Sequence, residues 1–194
     1  MPTKVTIDTF IKKLRAPEAP YFHIRLSNDP SGRDAAFPFD RIAVFIRTVR
    51  GRKMLTLDRL FDEFADACQC FAENWDAFID CFTDPIYSWN PPVPPGEPIL
   101  IAITDAHLIL SDWPKGPIAP RRRPDLEIFY NILNISVRQA VGTEYSGFPD
   151  RICYPLHFLL DTDLDHLPAL SAVLEKVGCD YEVVEINDVE EMNS

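Results

Sequence analysis

The sequence between residues 70 and 83 reads Cys-Phe-Ala-Glu-Asn-Trp-Asp-Ala-Phe-Ile-Asp-Cys-Phe-Thr. On a helix its large apolar side chains share one face, because they recur at spacings of three and four residues: Trp75, Phe78, Ile79 and Phe82. The opposite face carries three carboxylates: Glu73, Asp76 and Asp80. The spacing therefore predicts an amphipathic helix over about residues 74–82 with a negative ridge. Taken alone, such a ridge is typical of a solvated helix face.

The segments on either side of this helix predict buried strands and a second helix. Residues 42–46 form a near-continuous, β-branched apolar run, which is typical of a strand buried on both faces. A basic turn follows at Arg50–Arg52, and periodic apolar residues predict a helix over 57–67. Beyond the acidic helix, the proline density of residues 85–98 excludes a helix and indicates a stiff loop. This loop leads into a second buried strand at 99–103.

Strands and helices continue to alternate toward the C-terminus. The pattern predicts helices over about 125–141 and 167–177, and strands at 156–160 and 181–186. This alternation predicts an α/β fold with a small, at least partly parallel sheet covered by helices. We expect an α/β domain over residues 41–187, followed by an acidic tail at 188–194.

The first 40 residues read as an extension of this domain. Apolar residues at helical spacing predict a short helix over about 5–15, and Tyr21–Leu26 has the pattern of an edge strand.

The composition restricts the class of partner. The chain has 194 residues, 46% of them hydrophobic, and a net charge of −11, so it can bury a core and favours basic partners. Lys115 is the only cation between residues 61 and 118, which disfavours direct binding of nucleic acid. The short basic clusters Arg47–Lys53 and Arg121–Arg123 are typical of solvated surface. Without an apolar run long enough to span a bilayer or a secretory leader, we expect a cytoplasmic protein that does not bind membranes.

Cysteine and histidine spacing does not predict a metal or cofactor site. The five cysteines lie in apolar surroundings, which favours reduced core thiols over a disulfide framework. Cys153 with His157, and Cys68 with Cys70, lack a second pair at zinc spacing. Residues 161–165 resemble the start of a calcium loop, but the glycine and the closing glutamate are missing, so a helix cap at Asp163 or Asp165 is favoured. We expect neither a metal nor a cofactor.

The order of strand, basic turn, helix, acidic helix and strand resembles the barstar family of intracellular ribonuclease inhibitors. In that family the stretch that corresponds to residues 70–83 reads roughly Tyr-Tyr-Gly-Glu-Asn-Leu-Asp-Ala-Leu-Trp-Asp-Cys-Leu-Thr. The resemblance covers about residues 41–140. Gly178–Asp180 also resembles the entry to the last family strand, which makes residues 142–165 an insertion.

The resemblance implies a protein inhibitor rather than an enzyme. Family members block the active site of a basic secreted ribonuclease, and their carboxylates replace the substrate phosphates. It implies that Asn74, Asp76 and Asp80 face the partner, with four neighbours that complete the surface: Glu73, Ile79, Cys70 and Ala72. Three of these depart from the family, which has Tyr for Cys70, Gly for Ala72 and Trp for Ile79. The function expected is an immunity protein against a basic ribonuclease-like or nuclease-like toxin.

Two other functions remain open on the residues alone. Asp76 and Asp80, one helical turn apart, have the spacing of a general acid/base pair in a small hydrolase, which would place them in a cleft beside a histidine. An adaptor would instead bind partners through the Pro-rich loop 85–98. An inhibitor requires both carboxylates to be exposed.

Overall fold

A computed structural model describes residues 3–16, 18–26, 44–69, 71–83, 93–94, 97–112, 124–141 and 154–185, with the backbone alone at 82–83. Its described part is an α/β fold built on a six-stranded, fully parallel sheet. The strands are β1 Thr3–Thr6, β2 Phe22–Leu26, β3 Phe45–Arg50, β4 Ile99–Thr104, β5 Leu156–Thr162 and β6 Tyr181–Glu185, in the spatial order β1-β6-β2-β5-β4-β3. The fold class predicted from the sequence is confirmed.

Five α-helices connect or cover these strands in the described residues: α1 Ile7–Lys13, α2 Leu57–Cys68, α3 Trp75–Thr83, α4 Asp125–Ala140 and α5 Leu167–Lys176. Each lies within a few residues of its predicted range. Among the described residues, no helix combines the length and the apolar character that a membrane span requires.

Alternate side chains of the sheet pack into two separate apolar clusters, as the two-residue repeat of a strand requires. In β4, Ile99, Ile101 and Ile103 belong to the larger cluster, together with apolar residues of α2 to α5. Leu100 and Ala102 belong to the smaller cluster, with Phe10 and Leu14 from the α1 segment. Helices α2 to α5 therefore cover one face of the sheet, and α1 packs on the other.

The positions of β1, β2 and β3 differ from the sequence predictions. Strand β3 was expected to be buried on both faces, but among the described strands it pairs with β4 alone, and Phe45 and Ile46 are half-buried. Residues 42–43 of the predicted strand lie outside the described residues. Strand β2 was expected at an edge, but it lies between β6 and β5. Strand β1 at the opposite edge was not predicted.

Strand β2 is interior because its polar side chains have buried partners. Arg25 pairs with Asp161 of β5. His23 Nδ1 lies 2.9 Å from Glu182 Oε1 of β6, and His23 Nε2 lies 3.0 Å from His157 Nδ1 of β5. Paired polar groups of this kind are the ones a protein core tolerates.

The sheet also extends across the predicted segment boundaries. Residues 3–26, predicted as an extension, supply β1, α1 and β2, and the segment 142–165, predicted as an insertion, contains β5. The division of the chain at residue 40 stays a sequence-based prediction. The predicted acidic tail at 188–194 lies outside the described residues.

Candidate functional site

Helix α3 begins with a side-chain cap at Asn74. The Asn74 Oδ1 accepts a hydrogen bond from the backbone N–H of Ala77 at 2.9 Å, and the Asn74 carbonyl accepts one from Phe78 N–H at 3.0 Å. Asparagine is among the preferred residues at this position, because its short side chain satisfies an amide that the first turn leaves free. The cap fixes the point at which the chain enters the helix.

The inner face of α3 is held by aromatic packing. Phe78 is 1% exposed, and its ring lies 5.0 Å from that of Phe64 and 5.7 Å from that of Phe61, both on α2. The half-buried Trp75 packs edge-on against Phe61 at 5.3 Å and donates its indole N–H to Asp125 Oδ1 at 3.4 Å. Contacts with both α2 and α4 therefore fix how α3 is rotated on the core.

The outer face of α3 carries the three predicted carboxylates. Glu73, Asp76 and Asp80 are all exposed, and the half-buried Ala77 lies between them in sequence. We call these three residues the acidic ridge. Glu73 and Asp76 lie at the N-terminal end of the helix, where the helix dipole favours negative charge.

A bend precedes the ridge and exposes an aromatic residue. Gln69 ends α2 in the left-handed conformation, with φ 55° and its N–H bonded to Ala65 O at 2.8 Å. Phe71 follows and is 81% exposed, while Ala72 is half-buried against the core. Among the described residues, Phe71 and Leu164 are the exposed large apolar side chains.

Phe71 was missed at the sequence level. Phe71 lies four residues before Trp75, so the apolar spacing alone would place it on the buried face of α3. Its position before the capping residue Asn74, outside the helix, was the available signal.

Of the other residues predicted at the contact surface, the structure describes Ile79 but not Cys70. Ile79 is half-buried and packs against the core, so it contributes less free surface than the ridge. Cys70 and the side chain of Phe82 lie outside the described residues.

The cysteines differ in part from the expectation of reduced core thiols. Cys81 on α3 is disulfide-bonded, which corrects that expectation at this position. Cys68 and Cys179 are buried free thiols, as expected, and burial raises the pKa of each to about 12.

The cations of the basic turn between β3 and α2 form ion pairs with acidic residues, although their side chains are partly exposed to solvent. The buried Glu63 accepts hydrogen bonds from the backbone N–H and the Nε of Arg50, at 3.0 and 2.7 Å, and lies 3.5 Å from the Lys53 ammonium. Arg52 lies 3.8 Å from Asp105. Three cations of the cluster Arg47–Lys53 therefore have acidic partners within the chain, which reduces the positive field this turn offers to a phosphate backbone.

In the contacts that the structure describes, the four histidines form two groups, and neither group includes the acidic ridge. His23 and His157 contact each other and Glu182 inside the sheet. His107 and His166 stack on each other beside Asp163. A hydrolase that used Asp76 and Asp80 would need a histidine beside them. The described contacts of the histidines are with other residues, so they do not support that alternative.

Comparison with known protein families gives a match over part of the chain. The family model described as Barstar (barnase inhibitor) matches residues 44–117, which include β3, α2, α3 and β4 but less than half of the chain. Searches of curated proteins and of solved structures gave no significant match.

Proposed function

We propose, from the barstar-family assignment that the match over residues 44–117 supports, that this chain inhibits a basic ribonuclease-like protein by covering its active site. The contact surface is the acidic ridge with the capping residue Asn74. Phe71, exposed next to it, adds an apolar contact. In this proposal the chain is a non-catalytic immunity protein, and its carboxylates replace substrate phosphates in a cationic cleft.

The exposure of the ridge on an anchored helix is the observation that supports this proposal. Asp76 and Asp80 are exposed, while Trp75 and Phe78 on the other side of α3 are held by rings of α2. A surface that is ordered before binding loses little conformational entropy when a partner binds. An inhibitor needs its anions fixed and accessible, and α3 has both properties.

The charge distribution supports a basic partner. The chain carries a net charge of −11, and residues 61–118 contain a single cation. A negative field of this kind speeds encounter with a cationic protein, and close charge pairs buried in the complex contribute several kcal/mol of coupling. Asp76 and Asp80 are therefore expected to contribute most of the binding energy.

The aromatic contacts of the proposed interface are rearranged relative to the family. Ile79 and Cys70 replace residues that are aromatic in the barstar family, whereas Phe71 remains aromatic and 81% exposed. Aromatic residues surrounded by weaker contacts often dominate binding energy at interfaces. We therefore propose that Phe71 is the main apolar anchor and that the partner differs in detail from barnase.

The test compares two variants with the same change in charge. We expect Asp80→Ala to raise the Kd for a basic ribonuclease of the barnase type at least about tenfold, or about 1.4 kcal/mol. Asp180→Ala, at an exposed position before β6, should leave the Kd unchanged. Calorimetry at low and moderate salt measures both constants, and circular dichroism verifies that both variants are folded. Equal binding by the two variants would contradict the role of the ridge.

If barnase itself does not bind, affinity capture with the wild type and the Asp76→Ala/Asp80→Ala double variant identifies the partner. We expect the wild type alone to retain a basic nuclease, and to retain it more weakly as the salt concentration increases. A partner retained equally by both proteins, or retained regardless of salt, would exclude the ridge as the binding surface.

A further inference from the structure

A second group of functional side chains lies at the carboxyl ends of two neighbouring strands. β4 and β5 are parallel and adjacent, so the residues that follow them meet at the same edge of the sheet. His107 lies in the 3-10 turn Ala106–Leu108 after β4, and Asp163 and His166 follow β5. These three residues belong neither to the acidic ridge nor to the buried network around His23.

Their ligand atoms are close together. His107 Nε2 lies 4.0 Å from Asp163 Oδ2, and His166 Nδ1 lies 2.7 Å from Asp163 Oδ1. One ligand atom from each residue lies within 4.8 Å of the other two. The two imidazole rings are stacked, with centroids 4.2 Å apart. Zinc–ligand bonds are about 2.0 to 2.2 Å long, so tetrahedral ligand atoms lie about 3.4 Å apart. The pair at 2.7 Å must therefore move apart, and the pair at 4.0 Å together, around an ion.

Hydrogen-bonding partners fix the positions of two of these side chains. Thr162 Oγ1 lies 3.4 Å from His107 Nδ1, which leaves Nε2 as the nitrogen directed at Asp163. A polar partner on the second ring nitrogen is typical of histidines that bind metal. The Asp163 carboxylate is held in turn by the backbone N–H of His166 at 2.9 Å.

The exposure of the group leaves room for solvent and for an ion to enter. The side chains of His107, Asp163 and His166 are 17%, 42% and 52% exposed. The most exposed of them is His166, whose ring must leave the stack for its Nδ1 to bind the same ion as His107 Nε2.

We propose that His107, Asp163 and His166 form a zinc site, with water as the fourth ligand. Two imidazole nitrogens and one carboxylate oxygen form a donor set that suits Zn²⁺ rather than Ca²⁺, which takes six to eight oxygen ligands. The sequence pattern at residues 161–165 resembles the start of a calcium loop, but the fold instead places two histidines beside Asp163.

The ion would connect two parts of the fold that are distant in sequence. His107 lies in the segment that matches the barstar family, whereas Asp163 and His166 lie outside it. An ion that binds only where the three ligands are assembled stabilises the folded chain in proportion to its occupancy. The site would therefore fix the start of α5 to the end of β4.

Calorimetric titration of the 194-residue protein with ZnCl₂, after removal of metals with a chelator, tests this proposal. We expect one saturable site and a rise in Tm that the chelator reverses. His166→Ala and Asp163→Asn should each weaken binding at least about tenfold, as loss of a ligand or its supporting group does. Asp165→Asn, at an exposed acidic residue of the same loop that is not in the group, should bind like the wild type. Absence of saturable binding, or equal binding by all four proteins, would overturn the proposal.

Cobalt substitution distinguishes this site from the thiols of Cys68 and Cys179. Co²⁺ bound by nitrogen and oxygen ligands gives ligand-field bands alone, whereas thiolate ligands add an intense near-ultraviolet charge-transfer band. We expect ligand-field bands that are lost in His166→Ala and are preserved in Asp165→Asn. A thiolate band, or a spectrum unaffected by His166→Ala, would show that the metal binds elsewhere.

Discussion

The buried histidine pair at the centre of the sheet makes stability depend on pH. His157 on β5 is fully buried, and burial, together with the neighbouring His23, lowers its pKa from 6.5 to about 3. Burial also lowers the pKa of His23, although Glu182 beside it acts in the opposite direction. The folded protein therefore keeps His157 neutral at pH values where an unfolded chain binds a proton.

This difference in pKa predicts loss of stability in mild acid. As the pH falls below about 6.5 the unfolded state takes up a proton that folded His157 accepts only near pH 3, so the free energy of unfolding decreases. For His157 alone the decrease between about pH 7 and pH 5 is about 2 kcal/mol. Urea unfolding followed by tryptophan fluorescence measures it.

His157→Gln is the variant that isolates this contribution. It keeps a polar side chain of similar size on β5, and we expect its stability to change with pH less steeply than that of the wild type. A lower stability of the variant at neutral pH would not affect this test, because the measured quantity is the difference between the two pH values. The same decrease in both proteins would contradict the assignment to His157.

At the level of the element, the start of α3 depends on one side chain. Asn74 Oδ1 caps the helix through Ala77 N–H, and replacing such a cap with alanine costs about 1 kcal/mol. We therefore expect Asn74→Ala to lower the free energy of unfolding by that amount. Asn74→Asp, which retains an oxygen acceptor and adds charge near the helix N-terminus, should not. Chemical denaturation compares the two variants, and equal losses would mean that the cap does not stabilise α3.

Local sequence patterns predicted the elements that surround the ridge. The apolar repeat at Trp75 and Phe78 depends on residues three and four apart, and such neighbours remain neighbours in any fold that contains the helix. The exposed positions of Asp76 and Asp80 follow from the same repeat. For this reason α3 was predicted to within a residue or two of its observed limits.

The placement of the strands depends on partners that are distant in sequence. The polar residues His23 and Arg25 give β2 the sequence pattern of a half-exposed strand. It can lie inside the sheet because Glu182 and Asp161, each more than a hundred residues away, pair with them. Strand β1 contains one apolar residue, Val5, so its sequence does not distinguish it from a loop. The group around Asp163 was missed for the same reason, since His107 reaches it only through the pairing of β4 with β5.

At the level of the whole molecule, the sheet joins segments that the sequence separates at residue 40. Strand β6 pairs with β1 and β2, and both of these strands lie before that residue. Phe10, Leu14, Phe22 and Ile24 from the same segment are buried at 0 or 1% exposure. Burying a side chain of this size contributes about 1.5 to 3 kcal/mol, so the loss of four removes several kcal/mol of burial energy from the core.

Removal of residues 1–40 should therefore abolish cooperative folding. We expect the truncated chain 41–187 to show no cooperative transition in urea, because β6 has lost both of its described partner strands and the sheet is interrupted next to β5. Adding a peptide of residues 1–26 should restore part of the transition, since it supplies β1, α1 and β2. If chain 41–187 instead unfolds cooperatively at the midpoint of the full chain, the first 40 residues are an extension, as the sequence pattern predicts. Far-UV circular dichroism and tryptophan fluorescence, recorded on the same samples, distinguish these outcomes.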